Sequence, residues 1–261
     1  MCDNDKYILN IKTVQSGPFR ILVEALKEIL TDGNFIFDET GIKLIAMDST
    51  HTVLIHMKLN SDKFESFYCP KKIVAGVNMG NFFKLIKTMG NSDSLELFIE
   101  KKNENIIGIK IFNPEKNLQT IYKLNLLDII DENINIPPAE FETELTFPSN
   151  DFQKIIRDMI NIGENIEIRS INEQLILKCS GDFAEQETIL RETNNGLKIT
   201  QNTNNNTLIQ GIFSLKYLIL FTKCTNLCNQ IHLYIKNDYP LVINYSVASL
   251  GNIKLCLAPN T

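Results

Sequence analysis

Apolar residues recur at helical spacing in four places along the chain, and between those places they alternate at the period of a strand. Phe19, Leu22, Val23, Leu26 and Leu30 fit one face of a first helix, and Phe82, Phe83, Leu85, Ile86 and Met89 fit a second. Phe152, Ile155, Ile156 and Met159 repeat the first pattern, and residues 214–223 supply a fourth helix. Strand-like runs follow the first helix at 34–38, 42–47 and 53–59, and the second at 95–99, 106–112 and 119–126. Behind the third helix come 166–168, a turn at Asn172-Glu173-Gln174, and 175–177; behind the fourth come 231–235, 241–247 and 253–257. Helix, hairpin, helix and strands thus appear twice in one order, which predicts an α+β fold of two similar domains.

The halves meet at residues 128–140. Adjacent Pro137 and Pro138 exclude a central strand, while Ile129, Ile130, Ile134 and Ile136 are too apolar for a merely flexible linker. The expected arrangement is a domain over 1–127, an extended surface connector over 128–140, and a second domain over 141–261. The asparagine-rich stretch 202–206 is expected to be a loop.

Composition narrows the classes. With 44% hydrophobic residues among 261, the chain can bury a sizeable core, yet no run approaches the roughly 18 to 20 apolar residues of a membrane span. Its first residues lack the apolar stretch of a secretory signal, so a soluble intracellular protein with no membrane partner is expected. Six scattered cysteines match no disulfide framework and are read as packed thiols. Cys224, Cys228 and His232 would suit a metal only on one continuous helix; Asn226 and Asn229 argue for a turn, so neither metal nor cofactor is expected.

A net charge of −5 weighs against a nucleic-acid binder unless charge is sorted by location. It is sorted. Arg20 with Lys27, Lys84 with Lys87, Lys154 with Arg157, and Lys216 with Lys223 place a basic pair on each helix, away from its apolar stripe. These eight contribute +8, leaving −13 on the rest of the chain. Such pairs suit sequence-independent contact with phosphates, and no base-reading motif accompanies them. Glu24 and Leu220 interrupt the basic faces, so direct contact should be weak.

Several strings resemble the proliferating cell nuclear antigen family in identity and order. They are Leu22-Val23-Glu24-Ala25-Leu26-Lys27, Met47-Asp48-Ser49-Thr50-His51, Gly76-Val77-Asn78, Pro148-Ser149 with Phe152 and Arg157-Asp158, Leu215-Lys216-Tyr217-Leu218 with Phe221-Thr222-Lys223, and Leu257-Ala258-Pro259. The resemblance spans nearly the whole chain. It implies the DNA clamp fold and a homotrimeric sliding clamp around double-stranded DNA, with helices inside, sheets outside, and DNA polymerase, a clamp loader and other replication and repair proteins as partners. Subunit closure is implied through Gln119, Ile121, Tyr122 and Leu124 of one copy and Thr188 and Leu190 of the next. A partner-peptide pocket is implied at Met47, His51, Leu54, Ile134, Ile136, Pro240 and Cys256, with Leu257, Ala258 and Pro259 pairing to the peptide main chain. Asn172 stands where the family carries its modified lysine and Cys256 where an aromatic is usual, and the acidic tail that many relatives carry is not expected. The implied setting is a nucleus or a viral replication compartment.

Other readings are weaker. Asp48, Ser49 and His51 mimic nucleophile chemistry, and Asp128, Asp131 and Glu132 an acid cluster, but neither has a phosphate loop, nucleophile elbow or metal set around it, so no enzyme is expected. A subunit of a heterotrimeric checkpoint clamp or a monomeric viral processivity factor is the nearer alternative; such relatives usually lose the Leu-Ala-Pro string or the paired helical lysines.

Overall fold

The computed structural model describes residues 6–130, 134, 139–201 and 207–260. Its elements in the first half are Tyr7–Thr13 (β1), Ser16–Ile29 (α1), Asp32–Asp38 (β2), Gly41–Met47 (β3), Val53–Asn60 (β4), Ser66–Tyr68 (β5), Ile73–Asn78 (β6), Met79–Ile86 (α2), Ser94–Glu100 (β7), Asn103–Asn113 (β8) and Leu118–Asn125 (β9). The second half has Thr143–Pro148 (β10), Ser149–Met159 (α3), Asn165–Ile171 (β11), Gln174–Ser180 (β12), Glu185–Arg191 (β13), Lys198–Gln201 (β14), Ile209–Ser214 (β15), Leu215–Phe221 (α4), Gln230–Ile235 (β16), Leu241–Val247 (β17) and Gly251–Leu257 (β18).

They form two compact units, neither continuous in sequence. One holds residues 1–46, 56–134 and 246–253; the other holds 47–55, 135–245 and 254–261. In the first unit, antiparallel strands run in the order β5-β1-β7-β8-β9, and a second set runs β4-β3-β2-β6. Apolar residues at alternate strand positions meet the buried stripe of α1, Phe19, Leu22, Val23 and Leu26. Phe82 of α2 stands edge-on to Phe19 at 6.3 Å and to Phe35 at 6.1 Å, which locks both helices over the sheet. Asn78 starts α2 by accepting the Asn81 N–H at 2.9 Å.

The helix ends earlier than its apolar pattern. Met89 continues the spacing, but α2 stops at Ile86 because Asp93 takes the Gly90 N–H at 2.7 Å and Ser16 donates to the Gly90 carbonyl at 2.8 Å.

The second unit repeats the plan with strands β13-β12-β11-β15 and β14-β10-β16-β17-β18. Phe152, Ile156 and Met159 of α3 and Leu215, Leu218 and Phe221 of α4 are buried against them. Asn172 and Glu173, at φ 51° and 57°, make the tight turn between β11 and β12, a conformation for which asparagine is well suited. The turn expected at Asn226 is instead a 3-10 helix over Thr222–Leu227, and extended backbone begins at Cys228. The Thr222 hydroxyl donates to the Ile219 carbonyl at 2.7 Å and Gln153 donates to Thr222 O at 2.9 Å, so the tightened helix end keeps partners. Cys224 there is fully buried, and burial raises its thiol pKa well above the ordinary value. No helix among the described residues is long and apolar enough to cross a membrane.

Candidate DNA-facing helices and partner pocket

The helix stripes that fill each core leave the opposite faces to polar side chains, and there the basic residues divide into two kinds. Lys84, Lys87, Lys154, Arg157, Lys216 and Lys223 are exposed. Lys87 is the C-terminal cap of α2, and Lys223 sits in the 3-10 helix rather than in α4. Arg20 and Lys27 are only half-exposed. The Lys27 ammonium pairs with Glu28 and lies 5.0 Å from the centre of the Phe83 ring, so it bridges α1 to α2 instead of standing clear of the apolar stripe. Arg20 Nε is buried without a hydrogen-bond partner among the described residues. On α3, exposed Asp151 and Asp158 flank Lys154 and Arg157, which lowers the net charge of that face.

The residues expected to form the partner pocket fall mostly in the second unit. Leu54 on β4 and Cys256 on β18 occupy outward positions between buried neighbours: Val53 and Ile55 in one strand, Leu255 and Leu257 in the other. Burial raises the Cys256 thiol to about 11, so it behaves as a neutral apolar lining group. Pro240 is half-exposed, whereas the Leu257 side chain is wholly in the core and leaves only its main chain to a ligand. Ile134 is half-exposed; Ile136 lies outside the described residues.

Between β3 and β4 a loop places Met47 and His51 with His51 Nδ1 3.5 Å from Met47 Sδ, and His51 takes the left-handed conformation at φ 55°. Asp48 builds that loop. Its Oδ1 accepts the N–H groups of Thr52 at 2.8 Å and Val53 at 2.7 Å, while Oδ2 accepts from the N–H and hydroxyl of Thr50. Burial pushes the Asp48 pKa up, but the Thr50 hydroxyl and the three backbone donors outweigh it and hold the carboxyl below its ordinary value. An acid so occupied is structural, which removes the nucleophile-like reading of Asp48, Ser49 and His51. The C-terminal segment joins the same loop, Ala258 N–H donating to Thr52 O at 3.0 Å.

Beyond Pro259 a groove of about 360 Å³ runs past Ile212, Asn237, Asp238, Tyr239 and Asn260. Sequence reasoning missed these residues because loops bring them together. Asn237 shapes the wall by accepting the Gln210 N–H at 2.8 Å and donating to Leu208 O at 3.1 Å.

Each unit also ends in an edge strand, β9 in the first and β13 in the second. Tyr122 and Leu124 lie beside buried Ile109 and Ile107, and Thr188 and Leu190 beside buried Leu177 and Leu175, so these four face inward. Gln119 and Ile121 face outward on β9 and Ile189 faces outward on β13; Leu118, on the inward side but at the very start of β9, and Phe183 in the turn before β13, at 77% exposure, are exposed as well.

Two family descriptions cover this architecture. Residues 8–134 match the N-terminal domain of proliferating cell nuclear antigen and residues 135–260 match its C-terminal domain. The chain belongs to the proliferating cell nuclear antigen family of sliding clamps. It is 36% identical over 261 residues to the probable DNA polymerase sliding clamp 1 of Paramecium bursaria Chlorella virus 1, covering 98% of both chains. It is also 29% identical over 254 residues to the proliferating cell nuclear antigen of Chaetomium thermophilum, covering 97% of this chain and 98% of the other.

Proposed function

We propose that the protein is a homotrimeric DNA sliding clamp, closing head to tail around duplex DNA and tethering a DNA polymerase and other replication and repair proteins as a processivity factor. Its role is non-enzymatic. The observation that carries this reading is the pair of unlike edges. Strand β9 carries Lys123 beside exposed Leu118 and Ile121; the outward face of β13 carries Glu185 (paired to Lys178), Glu187 and Arg191 beside exposed Ile189, a net charge of −1 against +1 on β9. An edge left bare is an aggregation hazard, and two edges of opposite charge favour pairing with each other over pairing with themselves. Such a contact is heterologous, and closes when the rotation per copy divides a full turn.

The exposed lysines and arginine of α2, α3, α4 and the 3-10 helix, with half-exposed Arg20 and Lys27 of α1, would then face the phosphates without reading bases, while topology keeps the duplex enclosed. Partners would dock an apolar helical turn against Met47, His51, Leu54, Ile134, Pro240 and Cys256 and pair with the main chain of Leu257, Ala258 and Pro259. A clamp loader has to open such a ring, and the setting is the nucleus or a viral replication compartment.

Light scattering of the purified protein tests the ring. Three times the 29.8 kDa chain mass is expected, and a stable monomer at micromolar concentration would refute it.

A further inference from the structure

We propose that Tyr217 is a positioning residue for the partner pocket, its hydroxyl holding the loop from Asp48 to Val53 in the shape that presents Met47 and His51. The inference rests on the pocket reading given above. Tyr217 Oη lies 2.8 Å from Thr50 Oγ1. Since the Thr50 hydroxyl has one proton and gives it to Asp48 Oδ2, Tyr217 is the donor in the second bond. The chain of bonds therefore runs from helix α4 through Thr50 into the carboxylate that organises the whole loop.

What that anchor supplies is external support. The bonds of Asp48 to Thr50, Thr52 and Val53 are all local and would move with the loop as one body. Among the described residues, two hydrogen bonds tie that body to the rest of the unit beyond its flanking strands: Ala258 N–H to Thr52 O on one side, Tyr217 to Thr50 on the other. Tyr217 is a firm post, because Leu218 beside it is fully buried and so is Phe221 one turn on. Between the two ties sits His51 at positive φ, a conformation that a residue with a side chain holds only where its surroundings impose it. The Lys216 ammonium stands 5.5 Å from the centre of the Tyr217 ring, so one short stretch of α4 serves the basic face and the loop together.

The Tyr217–Thr50 bond is solvent-exposed, so its loss should weaken binding without abolishing it. The test measures, by calorimetry, the affinity of the protein for a synthetic peptide whose helical turn carries three large apolar side chains on one face. Tyr217→Phe, which removes only the oxygen, is expected to lower affinity by about 3- to 10-fold with an unchanged melting temperature. Thr50→Val should do the same, the double variant should bind no worse than the weaker single one, and the His51 ring resonances should shift in Tyr217→Phe. Leu54→Ala serves as the control for the pocket. If Leu54→Ala weakens binding while Tyr217→Phe binds like the parent, the positioning role is wrong and the pocket stands. Full additivity of Tyr217→Phe and Thr50→Val would also overturn the role. If neither Leu54→Ala nor Tyr217→Phe changes affinity, the pocket reading itself fails and the role falls with it.

Discussion

The main chain of Leu127 runs against Gly76 so closely that a β-carbon on Gly76 would stand 2.2 Å from the Leu127 carbonyl oxygen. Leu127 N–H donates to Gly76 O at 2.8 Å, and Asn34 next to this pair donates to Ile129 O at 3.1 Å, so the start of the connector is hydrogen-bonded along the β6 edge. Gly76→Ala should release it. The expected result is faster amide exchange at Leu127 and a loss of about 1–3 kcal/mol in stability, read by denaturant unfolding with exchange mass spectrometry.

The exposed pair on α2 offers a test of the basic faces. Lys84→Glu with Lys87→Glu reverses two exposed charges that have no core role, so the unfolding midpoint should hold to within about 0.5 kcal/mol. Polymerase processivity on primed circular DNA should nevertheless fall several-fold at low salt, and the gap from the parent should narrow as salt rises. Unchanged processivity would remove the phosphate-facing assignment from this helix.

Ile121→Glu addresses the edge strands. The side chain lies outward on β9 at 50% exposure, so the single chain should fold as before. A carboxylate there would meet the acidic β13 of a neighbouring copy, and the mass in solution should drop to that of one chain. Ile189→Lys, on the other edge, should act in the same direction by facing Lys123.

Asp38 makes the hairpin between β2 and β3 sensitive to acid. Burial pushes its pKa up, but the Lys43 ammonium at 2.7 Å and the hydroxyl and N–H of Thr40 hold it down at about 2. A folded-state pKa below the unfolded value of about 3.9 means that this contribution is complete above that pH and fades as the pH falls toward 2. Asp38→Asn should therefore lose more stability at neutral pH than at about pH 2, and urea titrations at both values would show the difference. Equal losses would mean that the carboxylate's charge carries no weight.

Legibility in the sequence followed the strength of local signals. Phe19, Leu22, Val23 and Leu26 announced α1 because one helix face meets one core, and the alternation of Leu241 to Val247 announced β17 for the same reason. Strands β1, β5, β6, β10, β14 and β15 were not foreseen; β5 and β14 are only three and four residues long, Pro148 ends β10 and Gly211 interrupts β15. The half-burial of Lys27 depends on Phe83, which lies far along the chain, and no periodicity within α1 encodes it. At the edges, Tyr122 and Leu190 were named only through family resemblance, while exposed Leu118 and Ile189 look like stray apolar residues until strand order places them on open rims. Met47, His51 and the Leu-Ala-Pro string were legible only through family resemblance, since the bonds of Asp48 and Tyr217 that shape their loop link residues with no shared period.

The unlike edges would also give the assembly a direction. In the proposed ring, every copy offers β9 to one neighbour and β13 to the other, so no copy can be turned over without setting like charges side by side. All Met47–His51 loops then open on the same side of the assembly, which gives the ring a front and a back. A polymerase held there would lead or trail in one sense along the DNA, and the asymmetry of a moving machine would begin with Lys123 on one strand and Glu187 on another.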